Sequence, residues 1–71
     1  MLLQNRLREL RRQQGLTQAQ LAQAVGISRQ SIIAIEKSKY KPTIELALKL
    51  ARALSCPVEE LFWLQESQGG K

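Results

Sequence analysis

Thr17–Lys37, TQAQLAQAVGISRQSIIAIEK, is the stretch that decides the fold. It reads as two short helices with a tight turn at Gly26 between them. Thr17 followed by Gln20 three residues on is the signature of a capping box, in which each residue's side chain satisfies the other's backbone amide. Ala19, Leu21, Ala22 and Val25 give the helix after it a small apolar side. Gly26 suits the left-handed conformation that ends a helix. Ile27 is placed to plug the core and Ser28 to cap the next helix. In that helix, Ser28 to about Lys37, Ile32 and Ile35 point inward with Ser31 near them. Gln30, Ala34 and Lys37 point outward, flanked by Arg29 and Ile33.

Upstream, a first helix is expected from about Leu3 to Gln14, stopping at Gly15. Leu3, Leu7 and Leu10 share one face, at spacings of four and three. Arg8 and Arg12 turn toward solvent. Arg11 falls beside Leu7 at the edge of the buried stripe, where a charge needs a carboxylate partner. Glu36 is the candidate: on its helix it lies between Ile32 and Arg29, bordering the inner face.

Downstream, Ser38–Lys39–Tyr40–Lys41 form a basic loop, which Pro42 ends. Thr43 caps a fourth helix running to about Leu54. Its apolar residues, Ile44, Ala47, Leu48, Leu50, Ala51 and Leu54, cover more than one narrow stripe, which predicts a central helix. Pro57 sits at or just before the first turn of a fifth helix, Val58 to about Leu64. Glu59 and Glu60 fall in that turn, where the helix dipole favours them. Apolar residues recur at three and four and nowhere alternate for long, so no strand is expected. The expected fold is all-α, a compact bundle of five helices in one domain, residues 1–64. Residues 65–71 are expected to be a flexible polar tail.

The composition narrows the function. The 71 residues carry 11 Lys plus Arg against 6 Asp plus Glu, a formal charge of +5. That balance favours polyanionic partners. There is no His and one Cys, so no zinc site and no internal disulfide can form within the chain. Cys56 lacks a His to activate it and reads as a small, half-buried apolar residue. No stretch is long and apolar enough for a secretory signal or a membrane span, and a cytoplasmic location is expected. A Gly-rich phosphate loop and clustered carboxylates are both missing from the sequence. An enzyme is therefore not expected, nor a cofactor, nor a small-molecule substrate.

Two helices joined by a tight turn are how a protein seats a helix in the major groove of double-stranded DNA. On the outer face of the third helix, Arg29 can pair with guanine and Gln30 with adenine. Ile33 and Ala34 suit thymine methyl groups. The blander reading of these residues is a solvated helix surface. The turn before them and the basic loop after them weigh against it. Gln18 at the start of the second helix can bond a phosphate, and so can Lys37, Lys39, Tyr40 and Lys41 after the third. Ser28, at the start of the third helix, is a further phosphate candidate.

At this point the chain resembles a known family. Residues 5–62 are similar to the helix-turn-helix domains of the phage Cro and repressor type, the XRE-like family, through RLRELRRQQGLTQAQLAQAVGISRQSIIAIEKSKYKPTIELALKLARAL and then VEELF. The resemblance implies a lambda-repressor-like fold of five helices. It implies base contacts at Arg29, Gln30 and Ala34 with Ile33 alongside, phosphate contacts at Gln18, Lys37 and Lys39, and an ion pair between Arg11 and Glu36. Two positions depart from the family pattern. Lys37-Ser38 stands where Asn-Gly is usual, so the loop backbone is expected to differ. Pro57 replaces a Ser-type cap, leaving Cys56 or nothing to cap the fifth helix.

The function implied is a sequence-specific, DNA-binding transcriptional regulator, a repressor acting as a homodimer on a pseudo-palindromic operator. With no second domain in these residues, a dimer interface is expected within them. One helix cannot point Phe62, Trp63 and Leu64 into one core. Phe62 is expected inside, with Trp63 or Leu64 left for a partner chain; Trp63 packing on its own chain is the competing expectation. An antitoxin, which binds DNA with the same fold and also a partner protein, is the alternative reading.

Overall fold

The computed structural model describes residues 2–66. Among these residues there are five helices and a short two-stranded sheet that joins the first and last described segments. The order is β1 (Leu2–Asn5), α1 (Leu7–Gln13), α2 (Gln18–Val25), α3 (Arg29–Glu36), α4 (Ile44–Ala53), α5 (Val58–Leu61) and β2 (Phe62–Gln65).

The sheet corrects the expectation of helices alone. β1 and β2 are antiparallel, with Leu2 opposite Gln65, Leu3 opposite Leu64, Gln4 opposite Trp63 and Asn5 opposite Phe62. Leu3 therefore belongs to a strand and not to the face of α1. The fifth helix ends at Leu61, and Phe62 is already extended, with φ −130° and ψ 138°. A strand resolves the crowding of three large residues, because successive side chains alternate between faces. Phe62 packs against the core, while Trp63 is turned to the other face and remains 38% exposed. Gln65, at the start of the expected tail, is part of β2. Residues 67–71, the rest of that tail, lie outside the described residues.

Leu7, Leu21, Ile32, Ile35, Leu50 and Leu61 are completely or almost completely buried. Every helix contributes to this core. In α4 the buried side is Leu46, Leu50, Ala51 and the following Leu54. Ile44 is 79% exposed, and Leu48 is exposed as well. The helix expected to be apolar on more than one stripe thus buries a single one. Residues two apart sit about 200° round a helix, so Leu46 facing inward turns Ile44 and Leu48 outward. Ala19 is also exposed, on the outer side of α2.

The helix starts follow from their caps. Thr17 Oγ1 accepts from the Gln20 amide at 3.0 Å, and Gln20 Oε1 accepts from the Thr17 amide at 2.8 Å. Ser28 Oγ accepts from the Ser31 amide at 3.1 Å. Thr43 Oγ1 accepts from the Leu46 amide at 3.2 Å. Each such cap contributes about 1 kcal/mol. At α5 the N-cap is Pro57 and no side chain caps the helix, so neither Cys56 nor any other residue takes the role.

The helix ends share one device. After α2, the Ile27 amide reaches back to Ala22 O and the Gly26 amide to Gln23 O, with Gly26 at φ +78°. This is the Schellman arrangement, which needs a left-handed residue. After α3, the Lys39 amide bonds Ala34 O and the Ser38 amide bonds Ile35 O. Ser38 itself is at φ +59°. The loop backbone was expected to differ where Lys37-Ser38 replaces Asn-Gly. Ser38 adopts the left-handed conformation that a glycine takes without strain, at a cost of roughly 1–2 kcal/mol. Ser55 does the same after α4, at φ +56°.

Candidate nucleic-acid interface

α3 is anchored from behind and open in front. Ile32 and Ile35 are buried, while Arg29 and Gln30 in its first turn are exposed. Ile33 and Ala34 are half-buried, less open than a strictly outward position would be. Asn5 adds an anchor that the sequence did not reveal. Its Nδ2 donates to Ile35 O at 3.0 Å, and its Oδ1 accepts from the Leu7 amide at 3.1 Å. One side chain thus ties β1, α1 and α3 together.

The strongest polar link to α3 comes from Arg11. Its Nε lies 2.7 Å from Glu36 Oε2, its Nη2 lies 3.4 Å from Glu36 Oε1, and its Nη1 donates to Leu16 O at 2.8 Å. The two side chains are only 9% and 5% exposed. A buried charge is tolerated when it is paired and its polar atoms have partners, and here each guanidinium nitrogen has one. Glu36 then holds a third residue: Gln18 Nε2 donates to its Oε1 at 3.2 Å. The carboxylate thereby orients the Gln18 amide at the start of α2 and leaves its second N–H and its carbonyl for another partner.

Gln18, Ile33 and Lys37 meet around a cleft of about 680 Å³, and Arg8 and Arg12 of α1 line it too. The sequence placed both arginines at the solvent surface and gave no sign that they share a concavity with Gln18. Ser28 is engaged as the α3 cap and shares a 3.0 Å hydrogen bond with the Ser31 hydroxyl. Lys39, Tyr40 and Lys41 are exposed in the loop after α3. Tyr40 lines a separate depression beside Ile27 and Thr43. Trp63 and Leu64 are both exposed, Leu64 at 61%.

No group of His, Cys, Asp and Glu suited to a metal ion occurs among the described residues. Cys56 is half-buried, and burial pushes its thiol pKa up. Glu60 adds to that rise and Arg6 opposes it. Such a thiol is a weak nucleophile. No helix among the described residues is long and apolar enough to cross a membrane.

Comparison with known proteins agrees with this geometry. The family model described as helix-turn-helix matches residues 7–61. The chain is 44% identical over 64 residues to the helix-turn-helix-type transcriptional regulator YgzD of Bacillus subtilis, covering 90% of this chain and 97% of YgzD. It is 32% identical over 57 residues to the cryptic phage CTXphi transcriptional repressor RstR of Vibrio cholerae, covering 80% of this chain and 51% of RstR. Its fold is similar to that of the restriction-modification controller protein C.AhdI of Aeromonas hydrophila. There the TM-score is 0.73 and the identity 38%, over 78% of this chain and 80% of C.AhdI.

Proposed function

The chain belongs to the helix-turn-helix family of DNA-binding transcriptional regulators, and from that membership we propose that it is a repressor. In this reading it binds a pseudo-palindromic operator as a homodimer, with α3 of each copy in the major groove. One observation carries the reading. α3 is locked from behind by Ile32, Ile35 and the Arg11–Glu36 pair, and its first turn presents Arg29 and Gln30 free to solvent. A helix fixed in that way can offer donors to base edges without moving, so little ordering cost is left to binding.

The roles divide by chemistry. Arg29 pairs bidentately with a guanine and Gln30 with an adenine, while Ile33 and Ala34 meet thymine methyl groups. Gln18, Ser28, Lys37, Lys39, Tyr40 and Lys41 hold phosphates and so set the register. Two copies place two α3 helices about 34 Å apart on one side of the duplex. Trp63 and Leu64 are the residues assigned to contact with the second copy; their exposure on β2 leaves them open to it. Repression by occupancy is supported by the similarity to RstR, which is itself named as a repressor.

Arg29→Ala is the test. The variant should lose about 1–3 kcal/mol of affinity for the preferred duplex, concentrated at one base position per half-site. Titration against a panel of single-base substitutions measures it. Uniform weakening across the panel contradicts a base-reading Arg29.

A further inference from the structure

We propose that Arg8 and Arg12 of α1 are phosphate-binding residues that extend the DNA contact onto the backbone flanking the base pairs read by α3. The proposal rests on the DNA-binding reading above and adds a part of the surface that this reading does not use.

The cleft that both arginines line contains Arg8, Arg11, Arg12 and Lys37 against the single carboxylate of Glu36. Arg11 and Glu36 are consumed by each other at 2.7 Å. Three cations are left around one concavity. Among the described residues none of the three has a carboxylate within 4.0 Å, whereas Arg6 is paired with Glu9 at 3.4 Å and Lys49 with Glu45 at 3.3 Å. Arg8 and Arg12 stand four residues apart, so they project from the same side of α1. Like charges held together repel, and a polyanion entering between them relieves that cost.

A row of charge on a helix is often no more than a solvated face. Convergence is the difference here. Arg8 and Arg12 line the same cleft as Gln18, and Glu36 holds the Gln18 amide in a fixed orientation at 3.2 Å. Ile33 and Lys37 line the cleft as well. These residues come from the C-terminal half of α3 and beyond, away from Arg29 and Gln30 in its first turn. A phosphodiester strand passing Gln18 would therefore meet the arginines outside the bases that the first turn reaches. The planar guanidinium matches a phosphate with two parallel hydrogen bonds, which an exposed lysine does not do.

The test is the salt dependence of binding to a duplex that the parent protein prefers. Arg8→Ala/Arg12→Ala should reduce the slope of log K against log salt by about 1.8, at about 0.9 per phosphate contact. Its order of preference among duplexes should stay that of the parent. Lys49→Ala/Arg52→Ala on α4 removes the same charge from another surface and should leave the slope unchanged. Coincident thermal melts establish that both variants are folded, as expected for exposed positions. The proposal is overturned if the arginine variant keeps the parental slope, or if the α4 variant loses as much. Failure of the DNA-binding reading looks different, because then the parent itself binds no duplex.

Discussion

Glu36→Ala is expected to destabilise the fold by about 3–5 kcal/mol, the cost of leaving a buried charge without its partner. Arg11 is 8% exposed. Without Glu36 it keeps one hydrogen bond, to Leu16 O, and its charge is left without a carboxylate. A domain of this size is stable by only about 5 kcal/mol or a little more, so most of the margin is at stake. Urea unfolding followed by circular dichroism measures the loss. Arg11→Met/Glu36→Leu separates a stranded charge from a lost contact. Replacing both partners by apolar residues of similar volume should restore much of what the single change removes. A Glu36→Ala protein within about 1 kcal/mol of the parent would show the pair to be of the weak, solvent-screened kind.

The second large effect is on DNA. Lys37→Ala/Lys39→Ala/Lys41→Ala should lower the salt slope by about 2.7 and weaken binding near 0.15 M salt by roughly 10²-fold, through lost counterion release. All three lysines are exposed, so the thermal melt should not move. The ratio between preferred and scrambled duplexes should also hold, because phosphate contacts position the protein and carry no sequence information. Fluorescence anisotropy over a range of salt concentrations reads both quantities. An unchanged slope would mean that the loop after α3 faces away from the duplex.

The part of the fold written in local pattern was legible in the sequence. Thr17, Ser28 and Thr43 cap the helices they were expected to cap, Gly26 takes the left-handed conformation, and the first helix ends before Gly15. These features depend on residues within a turn of each other, where spacing carries the information. Arg11 and Glu36 are 25 residues apart, yet each sat at the edge of an apolar stripe, and a buried charge must find its opposite.

Other features needed the tertiary structure. β1 and β2 come from the two ends of the chain, and runs as short as Leu2–Asn5 and Phe62–Gln65 carry no periodicity that tells strand from helix. The apolar residues of α4 fall on more than one side of the helix, between Glu45, Lys49 and Arg52, and so hid which stripe would be buried. Ser38 and Ser55 gave no sign of their left-handed backbone, because that conformation is imposed by the Schellman bonds and not by the residue. At the site, Ile33 and Ala34 are half-buried, whereas the exposure of Arg29, Gln30 and Lys37 followed from the helical wheel. The meeting of Arg8, Arg12 and Gln18 did not, since it depends on how α1 lies against α2.

The central claim is that α3, held rigid from behind, reads base edges in duplex DNA, one copy on each half of a symmetric site. Selection of bound duplexes from a random pool tests it most directly. The account predicts enrichment of an inverted repeat whose half-sites are centred about one helical turn apart, roughly 34 Å. A pool that emerges unenriched even at low ionic strength, with no double-stranded sequence favoured over another, would contradict it.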